Sequence, residues 1–110
     1  MSKAQTTFAI GVDYGTNSCR ALVVNTANGA EIASHVYNYP TGEAGILLDP
    51  KDPNVARQNP ADYIKGFVTS VKNAVKNASK TRVFKVDRVI GIGVDTTGST
   101  PIPWTKTVPP

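Results

Sequence analysis

At 110 residues, 40% hydrophobic and 18% charged, the chain has the size and composition of one small globular domain, which excludes disordered, fibrous and two-lobed architectures. A net charge of +4 invites a nucleic-acid partner, but the lysines concentrate between Lys65 and Lys85, on the wet face and tail of a predicted helix, so none is expected. Cys19 is the only cysteine, which rules out an internal disulfide and a thiolate zinc site, and neither a membrane-length apolar run nor a secretory leader is legible, so a cytoplasmic protein without a membrane partner is expected.

From Thr7 to Val12, Phe8, Ile10 and Val12 alternate with Thr7, Ala9 and Gly11, the period of a strand with one strongly apolar face. A polar loop from Asp13 to Arg20 follows. Ala21-Leu22-Val23-Val24 reads as a second strand, and Asn28-Gly29 predicts a tight turn because both residues tolerate positive φ. A third strand is predicted over Glu31 to Tyr39, with Ile32 and Val36 on one face and His35, Tyr37 and Tyr39 on the other. His35, the lone histidine, reads as a packing residue there.

Three prolines and two glycines between Pro40 and Asn59 predict an irregular excursion, tacked to the body by Ile46-Leu47-Leu48 and suited to the rim of a cleft or a docking surface. Helix signals come next. Asn59 can cap, Pro60 suits the first helical position, Asp62 puts negative charge in the first turn, and Ile64, Phe67, Val68, Val71, Ala74, Val75 and Ala78 recur at helical spacing. Val89-Ile90-Gly91-Ile92-Gly93-Val94 is nearly all apolar, as a central strand buried on both faces would be, and it ends at Asp95 and the polar run Thr96 to Thr100. Pro101-Ile102-Pro103-Trp104 predicts an edge or hairpin arm.

Three antiparallel strands, a helix and a further strand form a βββαβ unit, and a right-handed crossover would lay the last strand parallel to the first. If those two are neighbours, Asp13 and Asp95 meet at their carboxyl ends, where open α/β sheets bind ligands. The first loop has the chemistry of a phosphate grip: Gly15 lets the backbone approach, Thr16 and Ser18 supply hydroxyls, Arg20 supplies charge, and Asp13 can hold magnesium through water. The same residue types are common in turns, and Asp95 could equally serve as an acceptor for the loop amides after it.

The run Asp13-x-Gly15-Thr16-x-Ser18-x-Arg20 resembles the first phosphate motif of the FGGY carbohydrate kinases, members of the actin-like ATPase superfamily with a ribonuclease-H-like fold. Leu48-Asp49-Pro50, the block from Ala56 to Tyr63, and the block from Gly91 to Pro101 are similar, within that family, to the amino-terminal part of the L-ribulokinases. The likeness runs from about Phe8 to Trp104.

The resemblance implies ATP-dependent phosphorylation of L-ribulose at its 5-hydroxyl in arabinose breakdown, with ATP and magnesium as cofactors. By the family pattern Thr16, Asn17, Ser18 and Arg20 face the ATP phosphates and Asp13 the metal, while Asp95, Thr97, Gly98 and Ser99 lie on the sugar side. Asn17 is a mild departure, since relatives often carry Thr, Glu or Ser there. Length is the larger one: family members have two actin-like domains, and their catalytic aspartate, adenosine pocket and second phosphate loop lie beyond the matched region. The expectation is therefore a partial amino-terminal domain, core about 7 to 104, with no catalytic base, no useful kinase activity of its own, and exposed edges that permit a homodimer. A ribonuclease-H-like two-metal nuclease, using Asp13 and Asp95, and a non-catalytic actin-like ATPase module are the rival readings.

Overall fold

The computed structural model describes residues 6–42 and 45–96, with only the backbone for 53–58. Phe8–Tyr14 (β1), Ser18–Asn25 (β2) and Glu31–Asn38 (β3) form an antiparallel meander. After the hairpin Ile46–Asp49 (β4) and Asp52–Gln58 (β5) come a helix, Pro60–Ala78 (α1), a short 3₁₀ turn, and Val89–Asp95 (β6). The strand order is β3-β2-β1-β6, and β6 runs parallel to β1, as the crossover argument requires. The result is a small mixed α/β sheet with one helix.

The core follows from the alternation in β1 and β2. Phe8, Ile10, Val12, Cys19, Ala21 and Val23 are all buried on the helix side, and the Phe8 ring meets that of Phe84 at 5.0 Å between centroids. At the turn between β2 and β3, Asn25 and Asn28 side chains accept from the Ala27 and Ala30 amides, and Gly29 takes φ +73°.

Helix α1 starts where the punctuation places it: Asn59 Oδ1 accepts from the Ala61 amide at 3.0 Å, and Pro60 opens the first turn. Its buried line differs from the expected one. Asp62, Gly66, Ser70, Ala74 and Ala78, one residue per turn and mostly small, face the sheet, while Phe67, Val71 and Val75 pack at the margins and Ile64 and Val68 are exposed. The small residues let the helix axis come close. A Cβ added at Gly66 would stand 2.6 Å from Cys19 Sγ. Cys19 is a buried packing residue against Ser70, with no nucleophile's surroundings.

Four further expectations change. The segment from Pro40 to Asn59 is not irregular throughout: β4 and β5 pair as a hairpin, and the register shifts between Leu48 and Asp49, so residues 53–55, including Pro53, have no partner in the ladder. Proline cannot donate to a ladder, and the shift accommodates it. Leu47 and Leu48 are exposed, so they do not tack the hairpin to the body. A bulge opposite Val23 and Val24 separates the faces of Ile32, which packs on the core, and Val36, which is 47% exposed. Lastly, among the described residues β6 is an edge strand, with Ile90, Ile92 and Val94 each more than half exposed, because α1 lies over β2 and β3 and stops short of it. Pro101 to Trp104 lie outside the described residues.

The close approach at Gly66 is testable. Gly66→Ala should gain about 1 kcal/mol of helix propensity yet lose on the order of 2 kcal/mol to overpacking, for a net fall in the thermal midpoint. Adding Cys19→Ala should recover part of it, as contact residues couple. A rise in the midpoint for Gly66→Ala, followed by circular dichroism, would count against the contact.

Candidate functional site

The polar run between β1 and β2 is shorter than its sequence suggests. Asp13 and Arg20 belong to strands, leaving only Gly15, Thr16 and Asn17 as the connection. The Gly15 amide donates to the Ser18 carbonyl at 2.8 Å, and a Cβ on Gly15 would stand 3.2 Å from that same oxygen, so glycine is the residue that fits the turn without displacing it. Thr16 and Asn17 are exposed at its tip and Ser18 is half-buried.

Strand register assembles the rest. Asp13 pairs with Arg20 across the antiparallel β1–β2 ladder and with Asp95 across the parallel β1–β6 ladder. Paired residues project on one side of a sheet, so Arg20, Asp13 and Asp95 form a row across three strands on the face opposite α1. All three are exposed. Below the row lies an open groove of about 350 Å³ with Gly11, Leu22 and Gly93 among its lining residues. Nothing lies within 4 Å of a Cβ built on Gly93, so its floor is bare backbone there.

The donor set suits a phosphate with its magnesium ion. Among the described residues no group of three or more Asp, Glu, His or Cys could hold a metal, so a cation here would take one or two carboxylates and complete its shell with phosphate and water oxygens. Magnesium at phosphate sites is held in that way. Two adjacent carboxylates repel one another, and a bound cation relieves that repulsion while Arg20 supplies the fork for phosphate oxygens. Thr97, Gly98 and Ser99, expected on the sugar side, lie outside the described residues.

A tyrosine cluster behind the turn has no local signature in the sequence. Tyr14 and Tyr39 each meet the Tyr63 ring edge to face, at 5.4 and 5.6 Å between centroids. The Tyr14 hydroxyl donates to the Tyr63 carbonyl at 3.1 Å, and the Tyr39 hydroxyl to the Gly15 carbonyl at 3.3 Å. Beneath them Thr41 donates to Asp62 Oδ1 at 2.8 Å and accepts from the Asn59 side chain at 3.1 Å. Asp62 is 4% exposed and its Oδ2 has no hydrogen-bond partner among the described residues, a burial that the positive end of α1 makes tolerable. Burial pushes the Tyr39 phenol well above its ordinary value, and it pushes Tyr14 and the Cys19 thiol up as well.

Those shifts predict alkaline instability. Groups whose folded pKa lies above the unfolded one hold more protons folded than unfolded at intermediate pH, so stability is complete below the unfolded values and falls as pH rises past them. Denaturant midpoints should be level up to about pH 8 and then decline from about pH 9 upward, as first the thiol and then the phenols would ionise in the unfolded chain. A midpoint unchanged through pH 10.5 would show that the cluster is wet.

Comparison with known proteins finds no matching family model. Curated relatives do match over nearly the whole chain. A ribulokinase of Vibrio parahaemolyticus is 38% identical over 94 residues, covering 86% of this chain and 16% of the relative. Ribulokinases of Halalkalibacterium halodurans and Shouchella clausii are 40% and 39% identical, covering 89% and 90% of this chain and 17% and 18% of their own length. The chain thus spans about one sixth of the curated relatives it matches.

Proposed function

We propose, on the premise that this chain belongs to the ribulokinase family, that it is the ATP-phosphate side of a sugar-kinase cleft in which L-ribulose is phosphorylated at its 5-hydroxyl. The observation that carries the reading is the row Arg20, Asp13 and Asp95, set in register beside the Gly15 to Asn17 turn, in a chain 38–40% identical to ribulokinases. The strand order with β6 parallel to β1 is the one expected of a ribonuclease-H-like, actin-like domain, and the chain is read as an incomplete, amino-terminal part of one, working in the cytoplasm.

Each residue has a task that its position supports. The Thr16, Asn17 and Ser18 groups and the Arg20 guanidinium bind and orient the ATP phosphates, while Asp13 holds the magnesium ion, directly or through water. That ion would neutralise charge on the transferring phosphoryl group. Asp95, one strand away, orients the sugar together with Thr97, Gly98 and Ser99. Phosphoryl transfer depends on positioning and charge stabilisation in a closed site, and an open row on one sheet face excludes no water. The chain alone therefore binds Mg·ATP weakly and turns over negligibly.

Two carboxylates in register would also suit a two-metal nuclease. Among the described residues no third acid joins them, and Asp62, the acid on α1, is buried with its Oδ1 held by Thr41. The kinase reading is the better one.

A coupled ADP-release assay with L-ribulose and Mg·ATP should give no turnover above the buffer rate for this chain. A chain that carries this segment and continues to the length of the relatives should phosphorylate L-ribulose, with kcat falling on the order of 100-fold or more in Asp13→Ala. Robust turnover by the 110-residue chain would overturn the first statement. Magnesium-dependent cleavage of an RNA–DNA hybrid, without kinase activity in the longer chain, would overturn the second.

A further inference from the structure

The turn between β1 and β2 is held from behind at both ends by one residue. The Tyr39 hydroxyl donates to the Gly15 carbonyl at 3.3 Å, and the Tyr39 amide donates to the Asn17 carbonyl at 3.1 Å. A trans peptide is planar, with its N–H opposite its C=O, so tethering the Gly15 carbonyl to Tyr39 sends the Thr16 N–H the other way, toward the turn's outer side. That is the side on which a phosphate would sit. Backbone N–H groups aimed together at one point make an anion cradle, and their aim matters because each hydrogen bond weakens steeply with angle.

Tyr39 is in turn immobilised. It is 4% exposed, its ring meets Tyr63 edge to face, and Gly45, at φ +86°, passes so close that a Cβ there would stand 2.7 Å from it. Two residues on, Thr41 is bound to Asp62 and Asn59 at the start of α1. The helix start thus fixes Tyr39, and Tyr39 fixes the turn.

We infer that Tyr39 is the positioning residue of the phosphate-gripping turn: its hydroxyl and amide together set the direction of the Gly15 and Asn17 peptides, and so the affinity of the turn for the phosphates of Mg·ATP. The inference rests on the kinase reading of the turn. Tyr39 touches no phosphate itself. Because its phenol stays protonated well above neutral pH, it remains a donor across the working range of an enzyme.

The test uses ¹⁵N-labelled chain, wild type, Tyr39→Phe and Tyr14→Phe. Tyr14→Phe is the control, since it removes a tyrosine hydrogen bond of the same cluster that does not reach the Gly15 carbonyl. In Tyr39→Phe the Thr16 to Ser18 amides should shift and become more mobile, their affinity for Mg·ATP should fall about fivefold, the weight of one hydrogen bond, and strand protection should stay at the wild-type level. Tyr14→Phe should leave loop mobility and affinity unchanged. Equal effects in both variants, or none in Tyr39→Phe, would overturn the assignment. So would loss of strand protection in Tyr39→Phe, because the hydroxyl would then hold the sheet rather than the turn. If the wild-type amides ignore Mg·ATP altogether, the phosphate reading of the turn fails in this chain, and loop mobility alone still decides whether Tyr39 sets its conformation.

Discussion

Parallel pairing of β1 with β6 is the constraint on which the site depends. Strands that run the same way cannot be joined by a tight turn, so the chain must leave the sheet, cross over it and return, and α1 is that crossover. With the register set, Asp13 and Asp95 become neighbours although they lie in the first and last strands of the described chain, Phe8–Tyr14 and Val89–Asp95. A slip of one residue along β6 would turn Asp95 to the opposite face and place Val94 or Thr96 in its stead. The row would then lose one of its two carboxylates, and with it half of its negative charge.

The crossover also determines what remains uncovered. α1 approaches the sheet through Gly66, Ser70, Ala74 and Ala78, and side chains this small allow a short separation but cover little area. The helix is seated over β2 and β3, which leaves the apolar residues of β6 in water along with Ile64 and Val68 on the helix itself. Each large apolar side chain left exposed forgoes about 1.5–3 kcal/mol that burial would contribute, so an edge of this kind calls for a cover. A chain that spans one sixth of its relatives' length is a natural place to find such an edge.

Where the fold was legible, a local pattern coincided with the physical cause. Alternation in Phe8, Ile10 and Val12 is burial on one face, and the Asn59-Pro60 start is a satisfied amide beside a proline that needs no donor. Other features depend on distances that no short window records. The apolar run of β6 reads as a central strand because composition reports hydrophobicity, not neighbours, and its neighbour on one side is absent among the described residues. The helix periodicity marks a broad apolar face, but the closest contact belongs to a glycine, which hydropathy discounts. The β4–β5 hairpin hides behind prolines that the register steps around. In the site, Asp13, Arg20 and the turn were readable from residue type and spacing, whereas Tyr39 joins them only through folding across 24 residues.

Magnitudes then decide how much of a binding site this row can be. Two unit charges 4 Å apart attract by about 1 kcal/mol in water and by about 4 kcal/mol where water is partly excluded. Asp13, Arg20 and Asp95 are all exposed, which places them near the weaker limit. Geometry supplied by the strands cannot raise that figure; removing water can, and a flat sheet face with a glycine floor removes none by itself. The same residues facing a second wall would act at the stronger limit, a difference of about 3 kcal/mol per contact, or more than a hundredfold in affinity. On the proposed reading the open groove beside the row is one wall of a cleft, with orientation supplied by register and by Tyr39, and with strength left to whatever closes over it.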